Sequence, residues 1–337
     1  MTDTKFSILD LIPIREGHDI ADALANAAAQ AVLAEELGFN RYWVAEHHGM
    51  PGIGGAATSV VLSHLGHATS RIRIGSGGIM LPNHSPLQIA EQFGTLDALF
   101  PGRIDLGLGR APGSDGRVAQ AMRRNLNSDA NQFPRDVMEL QAYFEGNPQL
   151  GITATPGAGA KVDLWILGSS LFGAQLAAAL GLPYAFASHF APDLLEEALD
   201  IYRAQFRPSK TLDRPYAAAA FNTFAADTLE EAQLIASSMQ QNFVSIRFGT
   251  PGKLPPPVPG YVDSLDPMGR GVLHSMLRCI SIGTQTDIER DLAAFIARTG
   301  VDEVVLCGSV YDQAARRRSL QIVAAAARNI GTLQAAA

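Results

Sequence analysis

The chain has 337 residues, is 47% hydrophobic, and carries a formal net charge of −7 with no basic block. It is too apolar for disorder and long enough for a large core, and its charge argues against nucleic acid or an anionic membrane as partner. The two cysteines, Cys279 and Cys307, form no CxxC pair, which argues against a disulfide scaffold or a cysteine-built metal site and fits a reducing cytosol.

The opening residues MTDTKFSILDLIP have no basic n-region, so no signal peptide is expected. No run of about 18 apolar residues occurs, so no membrane span is expected. Short apolar runs then alternate with helical patterns. The predicted strands are Phe6–Leu11, Tyr42–Ala45, Ile72–Leu81, Ile104–Leu108, Leu164–Leu167, Tyr184–Ala187, Ala217–Phe224 and Glu303–Cys307. They are apolar throughout, as strands covered on both faces should be.

Helical patterns fill the gaps: Ala21–Leu37 stopping at Gly38, a helix after Thr58, Leu87–Phe100, Leu171–Leu180 ending at Gly181, Leu194–Phe206, Asp287–Arg298 and Asp312–Arg328. Eight βα units imply parallel strands with crossover helices and a closed (β/α)₈ barrel, with an open doubly wound sheet as the competing arrangement. Residues 1–337 read as one such domain. Three stretches break the rhythm. Asp115–Glu145 is a long excursion after strand four. Ile152–Val162, ITATPGAGAKV, reads as a glycine-rich hairpin. Phe243–His274, with PGKLPPPVPG inside it, separates strand seven from its expected return helix and reads as an insertion with the character of a lid or dimer element.

Barrel active sites lie at the C-terminal ends of the strands. Strand two ends in YWVAEHHG and delivers Glu46-His47-His48. Adjacent residues leaving a strand point to opposite sides, so only some of the three enter the mouth. An imidazole there can move protons near neutral pH. A metal reading would need His84 and His189 as further ligands, while Glu46 and His48 also read as structural. Strand three carries Gly75, Gly77 and Gly78, which mark close approach by another group or tight packing. Strand four ends at Arg110, whose guanidinium fork suits phosphate, and Arg135 opens the next helix. Strand five runs through Gly168 into Ser169-Ser170 and a helix start, which reads as an anion site or a plain serine cap. Together with Arg110 it suggests a phosphate clamp on neighbouring strands. His64 and His67 read as packing or solvent, and Arg316-Arg317-Arg318 as a solvated helix face. No GxGxxG follows the first strand, and no GxSxG or P-loop is present.

Taken together, YWVAEHHG, IGSGGIMLPNHSPLQIAEQFGTLDALFPGRIDLGLGRAPGSD and LWILGSSLFGAQLAAALGLPYAFASHF resemble the bacterial luciferase-like monooxygenases, a flavin-dependent (β/α)₈ TIM-barrel family, over nearly the whole chain. The likeness is to its uncharacterised oxidoreductase branch. It implies that His47 is the catalytic imidazole and that a non-prolyl cis peptide at Gly77-Gly78 underlies the flavin ring. It also implies that Arg110 and Ser170 hold the FMN phosphate, with Ser169 and Gly173 helping through their backbone and Arg135 as a weaker second arginine. It implies that the insertion after strand seven holds a mobile lid. Gly109 stands where light-emitting luciferases carry a reactive cysteine, which speaks against light emission. The motifs point to FMN over the deazaflavin F420. The implied partners are O₂, a small organic substrate such as an aldehyde or ketone, a separate NAD(P)H:flavin reductase and a second copy in a homodimer. The rival readings are a metal-dependent barrel hydrolase and a non-catalytic flavin-binding protein.

Overall fold

The computed structural model describes residues 3–111, 118, 121–122, 132–331 and 333. Its frame is a closed ring of eight parallel strands: β1 (Lys5–Asp10), β2 (Arg41–Val44), β3 (Arg73–Met80), β4 (Ile104–Gly109), β5 (Asp163–Gly168), β6 (Tyr184–Phe186), β7 (Ala217–Ala225) and β9 (Glu303–Cys307), which pairs with both β7 and β1. The expected TIM barrel is therefore the observed one. All eight expected strands are present, shifted by a residue or two at their ends.

A ninth strand, β8 (Ile280–Gly283), was not expected. It pairs with Asn222–Ala225 of β7, on the edge that β6 leaves open beyond Ala219. Four residues with two half-buried isoleucines give too weak a periodic signal to be read as a strand.

Between strands run α1 (Ile20–Leu37), α2 (Thr58–Ala68), α3 (Pro86–Leu99), α4 (Phe133–Phe144), α5 (Leu171–Leu180), α6 (Leu195–Gln205), α7 (Leu229–Arg247), α8 (Pro267–Met276), α9 (Gln285–Thr299) and α10 (Gln313–Ile330). Local chemistry sets their ends. The Asp19 carboxylate caps α1 by accepting from the Asp22 N–H, and Gly38 ends it at φ +89°. Thr284 and Asp287 form a capping box on α9. Among the described residues no helix is long and apolar enough to cross a membrane.

Three expectations need revision. β7 is followed within four residues by α7, and Phe243 lies inside that helix, so the irregular segment separates α7 from β8 rather than β7 from its helix. That segment returns to the β1–α1 connection. Buried Leu254 donates its N–H to the Ile14 carbonyl and accepts from the Glu16 N–H. Residues 152–162 form turns rather than a hairpin, with a cis Thr155-Pro156 bond. They press on α3 where Gly94 meets Gly157, closely enough that a Cβ on Gly94 would lie 2.5 Å from the Gly157 Cα. Arg316 is buried and paired with Asp10 at 2.7 Å, so it does not belong to a solvated face. Much of the Asp115–Glu145 excursion lies outside the described residues, although α4 closes it.

Strand parity sorts the barrel interior. Leu9, Trp43, Trp165, Ala185, Ala218 and Val305 face inward, followed by Ala45, Ala220 and Cys307 nearer the mouth. The N-terminal floor is a charged knot. Arg41 pairs with Asp105 and Glu303, each at 2.9 Å, and Trp43 donates to Asp105 at 2.9 Å. Aromatic bulk fills the lower barrel, and the inward residues nearer the top are small.

Candidate active site at the barrel mouth

β2 supplies two distinct groups by alternation. Trp43 and Ala45 point inward, and His47 continues that face. Glu46 and His48 take the other side. Glu46 is buried, and its Oε1 accepts from Nε2 of His48 at 2.6 Å and of His84 at 2.8 Å, while Oε2 accepts from the Met80 N–H at 2.9 Å. Burial opposes its charge, but these bonds, led by the one from His84, hold its carboxyl below the usual range. The three side chains are close enough to hold a metal ion. They are also mutually satisfied as hydrogen-bond partners, which accounts for the cluster as a brace joining the ends of β2 and β3.

His47 is different. Its Nδ1 is buried and has no hydrogen-bond partner among the described residues. Burial lowers its basicity, Glu46 partly opposes that, and His48 adds to it. It is therefore a neutral imidazole just past the C-terminal end of β2, with one buried ring nitrogen unsatisfied.

On β3 the Gly77-Gly78 peptide is cis, at the position the resemblance implied. Space is scarce there. A Cβ on Gly78 would lie 2.5 Å from the Gly107 carbonyl oxygen and 2.5 Å from Leu167, and one on Gly77 would lie 2.8 Å from Leu9. These glycines thus keep the strands close, and they add no side chain at the end of β3.

Arg110, exposed just past β4, lies with its guanidinium carbon 4.2 Å from the ring centroid of Phe172, in the first turn of α5. Ser170 occupies the cap position of α5 in extended conformation, yet its hydroxyl makes no cap bond. The first-turn N–H groups have no intrahelical acceptor either. Ser169 beside it is exposed. Gly173 is buried, and a Cβ there would sit 3.3 Å from the Tyr184 ring, so glycine lets the helix start approach the strand ends. An open helix N-terminus and an arginine thus converge, which is anion-binding chemistry. Arg135 is exposed on the first turn of α4 and is not part of the Arg110–Phe172 contact.

One residue was weighed in the sequence only as a metal ligand. His189, after β6, is 8% exposed, and its Nδ1 has no partner among the described residues. Burial, then the nearness of His47, pushes it down to about 4. Its strand ends at Phe186 and it lies in the turn beyond, so strand alternation does not give its direction. Cys307 lines the interior and Cys279 is buried, with burial pushing both thiols up, so neither is poised as a nucleophile. His67 donates to the Ser63 carbonyl and packs edge-on to Phe100, a packing role.

A closed parallel barrel with an unpartnered imidazole, a glycine pair and an uncapped helix start at the C-terminal ends of its strands is an α/β-barrel protein of the TIM-barrel class, in which that end is the usual place of the active site. Residues 4–252 match the model of the luciferase-like monooxygenase family, and the chain belongs to that family. It is similar to a luciferase-like monooxygenase of Escherichia coli K12, 48% identical over 96% of this chain and 97% of the relative. Among solved structures it resembles apo-MsnO8, with a TM-score of 0.87 and 31% identity over 98% of this chain and all of that one. It shares its fold with the oxygenating constituent of 3,6-diketocamphane monooxygenase, a type II Baeyer–Villiger enzyme from Pseudomonas putida in complex with FMN, with a TM-score of 0.74 and 16% identity over 98% and 99% of the two chains.

Proposed function

We propose that this monooxygenase uses reduced FMN and O₂ to oxygenate a small organic substrate, an aldehyde, ketone or similar compound. The observation that carries this reading is the meeting of Arg110 with the uncapped start of α5, at the end of the barrel that also carries Gly77-Gly78 and His47. These residues fit FMN. Arg110, the Ser169 and Ser170 hydroxyls and the N–H groups leading to Gly173 would hold its phosphate. The strand end at Gly77-Gly78, without side chains, would accept a flat ring, with Arg135 as a weaker second cation for the phosphate. The FMN bound by the 3,6-diketocamphane monooxygenase constituent, which shares this fold, supports the same choice.

Bound reduced flavin supplies the oxygen-activating chemistry. The chain positions it, keeps water away and moves protons. His47 serves as acid or base at Nδ1, where a neutral, unpartnered imidazole can give or take a proton near pH 7. The segment 243–274, docked on the β1–α1 connection through Leu254, would cover the mouth as a lid. A separate NAD(P)H:flavin reductase would supply the reduced cofactor, and the working unit would be a homodimer in the cytoplasm.

The test is an anaerobic titration of the purified chain with reduced FMN, oxidised FMN and F420. Micromolar or tighter binding of reduced FMN with no F420 binding supports the reading. Binding of F420 alone moves the protein to deazaflavin chemistry, and binding of neither overturns it. His47→Ala separates catalysis from mere flavin storage: unchanged substrate-coupled flavin oxidation would remove the role given to His47.

A further inference from the structure

The mouth holds two orphaned buried ring nitrogens, not one. His47 leaves β2, and His189 leaves β6. In the ring order β1-β2-β3-β4-β5-β6-β7-β9 these strands stand opposite each other. Both nitrogens are buried without a partner among the described residues, at the mouth end of these opposed strands, and the charge of His47 reaches His189. His189 is held there by its backbone. Asn222 of β7 donates its Nδ2 to the His189 carbonyl at 2.7 Å, and Ser188 donates to the Ala220 carbonyl at 2.6 Å. Phe190 meets the His189 ring edge-on at 4.8 Å. Such anchoring is more than packing requires for a residue whose polar atom is left unsatisfied. Buried polar atoms without partners are rare and call for an occupant.

We propose that His189 is a substrate-binding residue, and that its Nδ1 and that of His47 close from opposite sides on one uncharged acceptor oxygen of the substrate. The inference rests on the reading of the mouth as an oxygenation site. Two neutral imidazole donors match the two lone pairs of a carbonyl. The nearby interior wall is Ala45, Ala185, Ala218, Ala220 and Cys307, apolar and small. The charged groups inside the barrel lie at the opposite, N-terminal end, in the Arg41 knot, while at the mouth Arg110 is taken up by the cofactor phosphate in this reading and the Glu46 carboxylate next to His47 disfavours an anion. The mouth therefore favours a neutral substrate with a short apolar body and one polar oxygen, and His189 sets where that oxygen sits.

The test reads binding, not turnover. The full chain, labelled with ¹⁵N at its imidazoles, is titrated with 2-pentanone, pentane and pentanoate, without flavin and with FMN. The ketone is expected to shift the ring nitrogens of both His47 and His189, pentane to shift neither, and pentanoate to bind more weakly than the ketone. His189→Phe, which keeps the bulk and removes the ring nitrogens, should lower ketone affinity about tenfold, roughly one hydrogen bond. It should leave pentane and FMN affinity unchanged. His189→Gln, which keeps a donor, should restore most of the loss and serves if the phenylalanine variant does not fold. A ketone that shifts neither ring or His47 alone overturns the proposal, as does a His189→Phe variant that loses pentane as strongly as ketone. Failure of FMN to bind while both rings answer the ketone removes the flavin reading and leaves this site standing.

Discussion

Arg110 rests on the face of Phe172, 4.2 Å from guanidinium carbon to ring centroid, so the end of β4 is tied to the first turn of α5. The contact holds the guanidinium beside N–H groups that no side chain caps. Arg110→Ala is expected to weaken FMN binding by about 2–3 kcal/mol, the worth of a charge-assisted contact. Riboflavin, which has no phosphate, should barely respond. Phe172→Ala should give a smaller loss by freeing the arginine. Fluorescence titration with both flavins checks this, and equal losses for the two would place Arg110 outside a phosphate site.

The glycine pair sets an order of cost. On Gly78 an added methyl meets the Gly107 carbonyl oxygen, a backbone atom that cannot swing away. On Gly77 its nearest neighbour is the terminal methyl of Leu9, which can. Gly78→Ala should therefore cost more than Gly77→Ala, with the former above about 2 kcal/mol, in the range of overpacked cores. Urea unfolding of the two variants measures the difference, and the reverse order would mean that the strands part more easily than these contacts indicate.

His189 also gives stability a pH dependence. Its folded value of about 4 lies below the ordinary value of 6.5, so the unfolded chain takes up the proton first. Its contribution is complete above about pH 6.5 and is lost as pH falls from there towards 4. His47 acts in the same direction. Between pH 7 and pH 5 the unfolding free energy should drop by roughly 2 kcal/mol on account of His189, and His189→Gln should shrink that drop. Glu46 acts lower. Its depressed carboxyl supports the fold above the ordinary carboxylate range and stops doing so as pH falls below it. Denaturant curves at pH 7, 5 and 4 separate the two groups, and a His189→Gln curve parallel to wild type would show that the imidazole is hydrated.

What the sequence revealed follows from where each signal comes from. The eight barrel strands were legible because both of their faces are covered, which demands continuous apolar runs such as Tyr42–Ala45. The glycine, arginine and serine positions were legible because glycine in a strand and arginine at its end are uncommon. β8 was not, because its isoleucines lean on α7 while Ser281 bonds Asp291, so no uniform pattern marks it. Arg316 was misread because its partner, Asp10, lies 306 positions away, and a run of arginines looks alike from within. His189 was undervalued because its strand is three residues long and it lies in the turn beyond, where strand alternation no longer says which way a side chain points.

The barrel floor offers a prediction that is independent of any cofactor. Arg41 is buried, and burial opposes its charge, but Asp105 and Glu303 outweigh that and raise its pKa above the usual range. Arg73 and Trp43 also donate to Asp105, and Tyr216 donates to Glu303 at 2.8 Å. Arg41→Leu would leave two buried carboxylates with their shared cation gone, a loss of about 3–5 kcal/mol. Glu303→Gln keeps an acceptor for Tyr216 and leaves Arg41 its bond to Asp105, so it should cost less. FMN binds at the far end of the barrel in this reading, so whichever variant folds should keep wild-type FMN affinity. Thermal unfolding together with flavin titration of both variants tests the separation, and a folded Arg41→Leu protein that has lost FMN would show that the floor and the mouth are coupled.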